Sequence, residues 1–472
     1  MLISRKEEQK TLRTAAASDE SQFIAVYGRR RVGKTYLIRE TFNDNFTFQH
    51  SGLAKGTAKQ QLRAFAESLE EAGMKDVQTP KDWLDAFRLL KNLIRSSNAE
   101  KKIIFIDELS WMDTPRSDLM IALENFWNAF ASARKDVVLI VCASATSWML
   151  DHVVHSRGGL YNRLTDRIHL KPFTLAECSE YASYRGLVMN QEQLMEAYMI
   201  LGGVPFYWSL LKKGMSLTQN IDRMMFSDDA YLKEEFYYLF ASLFRRPEAY
   251  IKIIETLAKK KNGITRNELA RDAGLAASGN LTKKLSELEN CGFIRKYTPF
   301  GSKKKGTVYQ LIDSFTLFYF QFMDTNAGDA MLWSHMSNSP RKNTWAGLAF
   351  ERVCLLHIDQ IKRALGISGV QTEVFSWLCK ADEDKGVEGS QIDLLIVRKD
   401  QVINLCEIKY SQKEYIISKT VNEELLRKLH DFQTVTETKS AIHITLITSV
   451  ALKQNTYSGI IQSVVTGDDL FV

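Results

Sequence analysis

The stretch from Phe23 to Thr41 constrains this chain more than any other. FIAVY (Phe23–Tyr27) is an unbroken apolar run. Gly28-Arg29-Arg30-Arg31-Val32-Gly33-Lys34-Thr35 follows at once and fits GxxxxGK[ST], and Tyr36–Thr41 then reads as helix. Strand, glycine loop and helix form the context in which that spacing has a physical meaning. Gly28 and Gly33 let the backbone curl so that its N–H groups point at phosphate oxygens. The helix start adds its positive dipole end. Lys34 then reaches the β- and γ-phosphates, and the Thr35 hydroxyl reaches a Mg²⁺ ion. The pattern predicts an ATP site over residues 28–35, with ATP and Mg²⁺ as cofactors.

Two more apolar runs belong with the first. KIIFID (Lys102–Asp107) and VVLIVCA (Val137–Ala143) have the length and texture of strands buried on both faces. Helical patterns at Gln60–Ala72, Trp83–Ser96 and Asp118–Ala133 lie between them. Strand–helix alternation predicts an α/β fold with a doubly wound parallel sheet. In such a sheet the carboxyl ends of the strands line the ligand crevice. Asp107 and Glu108 end the second run, where Asp107 would hold Mg²⁺ and Glu108 would polarise the attacking water. That pair favours ATP hydrolysis over small-molecule kinase chemistry. Ser144 ends the third run and could touch the γ-phosphate or the water, or make a local cap. Arg163 and Arg167, in LYNRLTDRIHL, could supply charge to the transition state or form surface ion pairs.

The remaining sequence divides by texture. The 472 residues predict two to four domains, and the boundaries fall at 1–174, 175–244, 245–312 and 313–472. The second region is all-helical and is broken at Gly202-Gly203-Val204-Pro205. In the third, helices at Ala249–Lys259, Arg266–Ala273 and Gly279–Asn290 precede strands Gly292–Tyr297 and Thr307–Ile312, the winged-helix order. Thr282, Lys283 and Lys284 on its third helix, with Lys303, Lys304 and Lys305 in the wing, could rest on DNA phosphates. Such a module can also serve as a lid or a protein contact. The net charge of +6 is too mild to choose. Six scattered cysteines with no CxxC pair exclude a disulfide framework and a cysteine zinc site. No run of about 18 apolar residues is present, so no membrane partner is expected and the chain reads as cytoplasmic.

The fourth region ends in a hairpin, Gln391–Val397 and Val402–Tyr410. Pairing of its strands is expected to bring Asp393 close to Glu407, with Glu407 and Lys409 on one face. Two carboxylates and a lysine can bind Mg²⁺ and orient a water for phosphodiester attack. Glu351, on a helix predicted over Ala346–Leu365, could add an oxygen ligand.

GRRRVGKT, IIFIDE, CASATSWM, the arginines of NRLTDRI and GGVPFY, in this order and spacing, resemble the archaeal-type ATPases of the AAA+/STAND branch of P-loop proteins. The resemblance spans Met1 to Phe244. It implies Walker A roles for Lys34 and Thr35, Walker B roles for Asp107 and Glu108, and a sensor role for Ser144. Pro205, in a GxP element, would approach the adenine. Ala143 stands where relatives commonly place Gly. Arg163 is a finger candidate, although the resemblance does not fix that position. The hairpin resembles the PD-(D/E)xK nuclease superfamily, with Asp393, Glu407 and Lys409 in the motif positions and Glu351 in the helical acidic position; Gln391-Ile392 replaces the nominal Pro.

The implied whole is a P-loop parallel-sheet ATPase domain with a helical lid, a winged helix and a C-terminal α/β nuclease-like domain. Its expected function is an ATP-hydrolysing switch that couples nucleotide state to DNA binding or Mg²⁺-dependent cleavage. The alternative is a nucleotide-gated signalling module whose nuclease-like domain cuts nothing. A homo-oligomer, with an arginine supplied in trans, stays open.

Overall fold

The computed structural model describes every residue except 1, 157, 245, 303–305, 327 and 338. The chain divides into two compact units, Met1–Pro172 and Phe173–Val472.

In the first unit, helix α1 (Lys6–Ala17) leads into strand β1 (Gln22–Tyr27) and helix α2 (Lys34–Phe42). Strand β2 (Phe48–Ser51), helices α3 (Ala58–Glu71) and α4 (Trp83–Ser96) and strand β3 (Lys102–Asp107) follow. Next come α5 (Leu109–Met112), α6 (Leu119–Phe126), β4 (Val137–Ala143), α7 (Thr146–Met149) and β5 (Asp166–His169). The five strands form one parallel sheet in the order β2-β3-β4-β1-β5.

Alternation along β1 explains its continuous apolarity, because both faces are covered. Phe23 and Ala25 join the core made with α3, α4 and α6. Ile24 and Val26 join the core made with α1 and α2. Local signals set the helix starts: Thr57 and Gln60 form a capping box on α3, and the Asp82 carboxylate accepts from Asp85 N–H on α4. The predicted helix Asp118–Ala133 is α6 continued by a π-helical turn, Trp127–Ala131.

The second unit begins with helices Leu175–Tyr184, Gln191–Leu201, Pro205–Ser209, Leu217–Ile221 and Glu235–Leu243. Helices Glu248–Ala258, Arg266–Asp272 and Gly279–Asn290 then pack with strands β6 (Ile264–Thr265), β7 (Ile294–Tyr297) and β8 (Val308–Leu311). These strands form an antiparallel sheet in the order β6-β8-β7. The predicted helix Ala346–Leu365 is two helices, Pro340–Leu356 and Ile358–Ala364. The chain breaks at His357, whose ring is buried; its Nδ1–H donates to Val353 O and its Nε2 accepts from Leu175 N–H.

Strands β9 (Thr372–Cys379), β10 (Ser390–Arg398) and β11 (Val402–Lys409) follow, then β12 (Tyr415–Ile416), β13 (Ala441–Thr448), β14 (Leu452–Lys453) and β15 (Ser463–Thr466). The large sheet runs β15-β13-β11-β10-β9; β11, β13 and β15 are parallel, and β9 and β10 are antiparallel. One face joins the unit's main core through Leu394, Ile396 and Cys406. The other makes a small core of its own with Phe432 on helix Lys419–Thr436.

Candidate functional site

The glycine loop takes the conformation its sequence calls for. Gly28 has φ 151°, and a Cβ there would lie 2.2 Å from Leu170 O, so no larger residue fits. Gly33 has φ 92° and caps α2, which starts at Lys34. Arg29 and Val32 are buried, with Val32 in the core beneath α1 and α2, and Arg30 and Arg31 are half-buried.

Lys34 is 5 % exposed. Its ammonium donates to Gly28 O at 2.9 Å, Arg29 O at 3.1 Å and Ser144 Oγ at 3.0 Å. Ser144 Oγ–H donates in turn to Glu108 Oε1 at 2.6 Å, and Ser144 N–H to Glu108 Oε2 at 3.3 Å. The Thr35 hydroxyl donates to Asp107 Oδ2 at 2.5 Å, while Asp107 Oδ1 accepts from Glu108 N–H at 2.8 Å.

Topology explains this meeting. β1, β3 and β4 are parallel and adjacent, so the loop after each opens at the same edge of the sheet. Burial, with the Asp107 carboxylate close by, pushes the Cys142 thiol well up, so that sulfur stays protonated. Thr35 and Asp107 offer hard oxygens, the donor type Mg²⁺ selects.

Arg163 is exposed on the loop ahead of β5, and Arg167 is exposed on β5. Neither takes part in the Lys34–Ser144–Glu108 linkage. Pro205 opens helix Pro205–Ser209 in the second unit. The preceding Gly203 admits no side chain, since a Cβ would meet Phe173 O at 1.8 Å.

Two residues beside this site went unread in the sequence, Gly52 and Gln61. Gly52 N–H donates to Asp107 O at 3.0 Å. Gln61 is fully buried on α3 and bonds to both Leu53 and Trp111. The available signal was a carboxamide on the apolar face of a helix, four residues before Phe65.

In the second unit, Glu407 and Lys409 meet on one face of β11, and the Asp393 charge reaches Glu351. β10 carries one extra residue relative to β9 between Ile392 and Leu395, and its ladder to β11 starts at Leu394↔Cys406. Asp393 Oδ1 accepts from Gln391 Nε2 at 2.6 Å. The Asp393 charge acts on Glu351, Arg352 and Arg295. Burial, and Asp393 beside it, raise the Glu351 carboxyl above its ordinary range, and burial brings Arg295 down to about 10.

Glu407 has two cationic partners. Its two oxygens take Lys409 Nζ and Lys428 Nζ, each at 2.8 Å, and Lys428 belongs to the helix that covers the sheet's other face. Among the described residues no three His, Cys, Asp or Glu side chains are grouped to hold a metal ion. Thr282 and Lys283 are exposed on helix Gly279–Asn290, and Lys284 Nζ lies 4.3 Å from the centre of the Tyr250 ring. Lys303, Lys304 and Lys305 lie outside the described residues.

Residues 2–211 match a family model described as an ATPase domain predominantly from Archaea. With the loop, strand ends and parallel sheet above, this makes the protein an ATPase enzyme of α/β fold. An uncharacterized protein of Methanocaldococcus jannaschii is 24% identical over 434 residues, which cover 91% of this chain and 92% of that one. Among solved structures, a Walker-type ATPase of Pyrococcus abyssi aligns with 68% of this chain and 96% of its own, at 16% identity and a TM-score of 0.49. The ORC2 protein of Aeropyrum pernix aligns with 71% and 96%, at 13% identity and a TM-score of 0.42. No helix among the described residues is long and apolar enough to cross a membrane.

Proposed function

We propose that the protein is an ATP-driven switch in which hydrolysis by the first unit controls binding by the second. The observation that carries this is the convergence of Lys34, Ser144 and Glu108 beside the Thr35–Asp107 pair. Lys34 binds the β- and γ-phosphates in place of the carbonyls it now holds. Glu108 accepts the proton of the attacking water, and Ser144 fixes its carboxylate. Thr35 and Asp107 hold Mg²⁺, which when bound neutralises phosphate charge. Arg163 is the finger residue and Pro205 meets the adenine, as the family resemblance implies. The domains divide as core, lid, winged helix and nuclease-like sheet, at 1–174, 175–244, 245–312 and 313–472. DNA is the partner of the winged helix, through Thr282, Lys283, Lys284 and the wing lysines Lys303, Lys304 and Lys305.

A second reading of the nuclease-like sheet is favoured by one observation. Asp393 is bound with Gln391, and Glu407 is neutralised by two lysines. On this reading the sheet is a binding platform that cuts nothing.

The test uses three variants of the full chain. Lys34→Ala is expected to weaken ATP binding by about a hundredfold and to abolish turnover. Glu108→Gln should bind ATP and hydrolyse it about a hundred- to ten-thousandfold more slowly, leaving a residual rate that single turnover can read. Both are read by phosphate release and by titration with a fluorescent ATP analogue; parental turnover in either variant refutes the switch. Plasmid nicking in Mg²⁺ or Mn²⁺ by the parent, lost in Asp393→Ala, would refute the platform reading.

A further inference from the structure

Glu108 holds a backbone conformation that needs support. Its φ is 48° and its ψ 42°, in the left-handed region. A residue with a Cβ gives up about 1–2 kcal/mol there, and the conformation persists where the surroundings over-determine it. The surroundings are specific. Gly52 lies against the Glu108 carbonyl, where a Cβ would come within 2.6 Å of Glu108 O. The single turn α5 begins immediately after Glu108, and Trp111 N–H donates back to Glu108 O at 2.9 Å.

That turn is held from two sides. Trp148 Nε1–H, on α7, donates to Asp113 Oδ2 at 3.0 Å. Gln61 Nε2, on α3, donates to Trp111 O at 3.0 Å and to Leu53 O at 2.7 Å, while its Oε1 accepts Leu53 N–H at 2.9 Å. Both amide hydrogens and the carbonyl of Gln61 are thus used, in a side chain with no exposed surface. One carboxamide ties the loop after β2 to the turn that follows Glu108. No other residue type of this length offers two donors and one acceptor in that arrangement.

We propose that Gln61 is a positioning residue for ATP hydrolysis: it holds α5, and through it the left-handed backbone of Glu108, so that the Glu108 carboxylate stays on Ser144. This rests on the reading of Glu108 as the group that polarises water. Gln61 touches neither Glu108's carboxylate nor the phosphate loop. Its loss therefore affects turnover and not nucleotide binding.

The experiment is a double-mutant cycle on the full chain. Gln61→Ala should lower kcat by about ten- to a hundredfold and leave nucleotide affinity within about twofold of the parent. In a Glu108→Gln background, single-turnover hydrolysis should show no further loss when Gln61→Ala is added, because no catalytic carboxylate remains to be positioned. Gln61→Met, which keeps the volume and the helix propensity, gives the same reading if the alanine variant unfolds. An unchanged kcat, an equal loss in both backgrounds, or a matching loss of affinity overturns the proposal while the role of Glu108 stands. Parental turnover in Glu108→Gln alone overturns both.

Discussion

His50 shows how one buried side chain ties stability to pH. It sits on β2 at 5 % exposure, against Phe48 and Phe65, with Nδ1 on Ser68 Oγ. Burial takes its pKa down to about 4. The folded ring therefore stays neutral while the unfolded chain takes up a proton below about pH 6.5. Stability is full above that pH and falls as pH drops toward 4, by about 3 kcal/mol from this group. His50→Phe removes the titration, and Ser68 keeps its bond to Ala64 O. Urea unfolding at pH 7.5 and pH 4 should therefore show a smaller acid loss in the variant than in the parent. An equal loss in both would mean that His50 does not set the acid limit.

The same scale shows what a sequence exposes. Lys34, Thr35, Asp107, Glu108 and Ser144 stand at the ends of apolar runs, and parallel pairing brings such ends to one edge. Gln61 has no such marker. Its importance lies in which backbone groups it meets, and those belong to a loop 8 residues away and to α5, 50 residues away.

Elements were legible where burial is two-sided. β1, β3 and β4 carry the apolar runs that mark them. β2 and β5 are four-residue edge strands with exposed polar positions, and no periodic signal marks them. The extra residue in β10 is a matter of pairing with β9, so no single strand's pattern reveals it.

The loop between β7 and β8 makes a related point. Phe300 N–H donates to Ser376 O on β9 at 2.8 Å, and its ring packs against Phe375 and Phe432 at centroid distances of 5.5 and 5.6 Å. Phe300, ahead of the wing lysines, is thus anchored on the large sheet's small core. Phe300→Ala should cost the second unit about 2 kcal/mol, less than a fully buried phenylalanine would. Denaturant unfolding checks the energy, and limited proteolysis between residues 298 and 306 checks the anchoring. A loop equally resistant in parent and variant would show that Phe300 does not hold it.

At the scale of the whole molecule, each unit carries its own hydrophobic cores. The first has one on each face of the parallel sheet, and the second has a large core and the small one under helix Lys419–Thr436. A nucleotide held by the glycine loop stabilises the fold that binds it, by about 2.7 kcal/mol when present at 100 times its dissociation constant. In a unit the size of Met1–Pro172 that corresponds to a rise of about 5–10 °C in midpoint. Calorimetry of the full chain should therefore resolve two transitions, one of which moves upward with ATP and Mg²⁺. In Lys34→Ala the two transitions should remain where they are in the absence of nucleotide. If ATP raised both transitions of the parent by the same amount, the second unit's fold would itself be coupled to the bound nucleotide. The switch would then act by tightening that unit, and not by moving it as a preformed body.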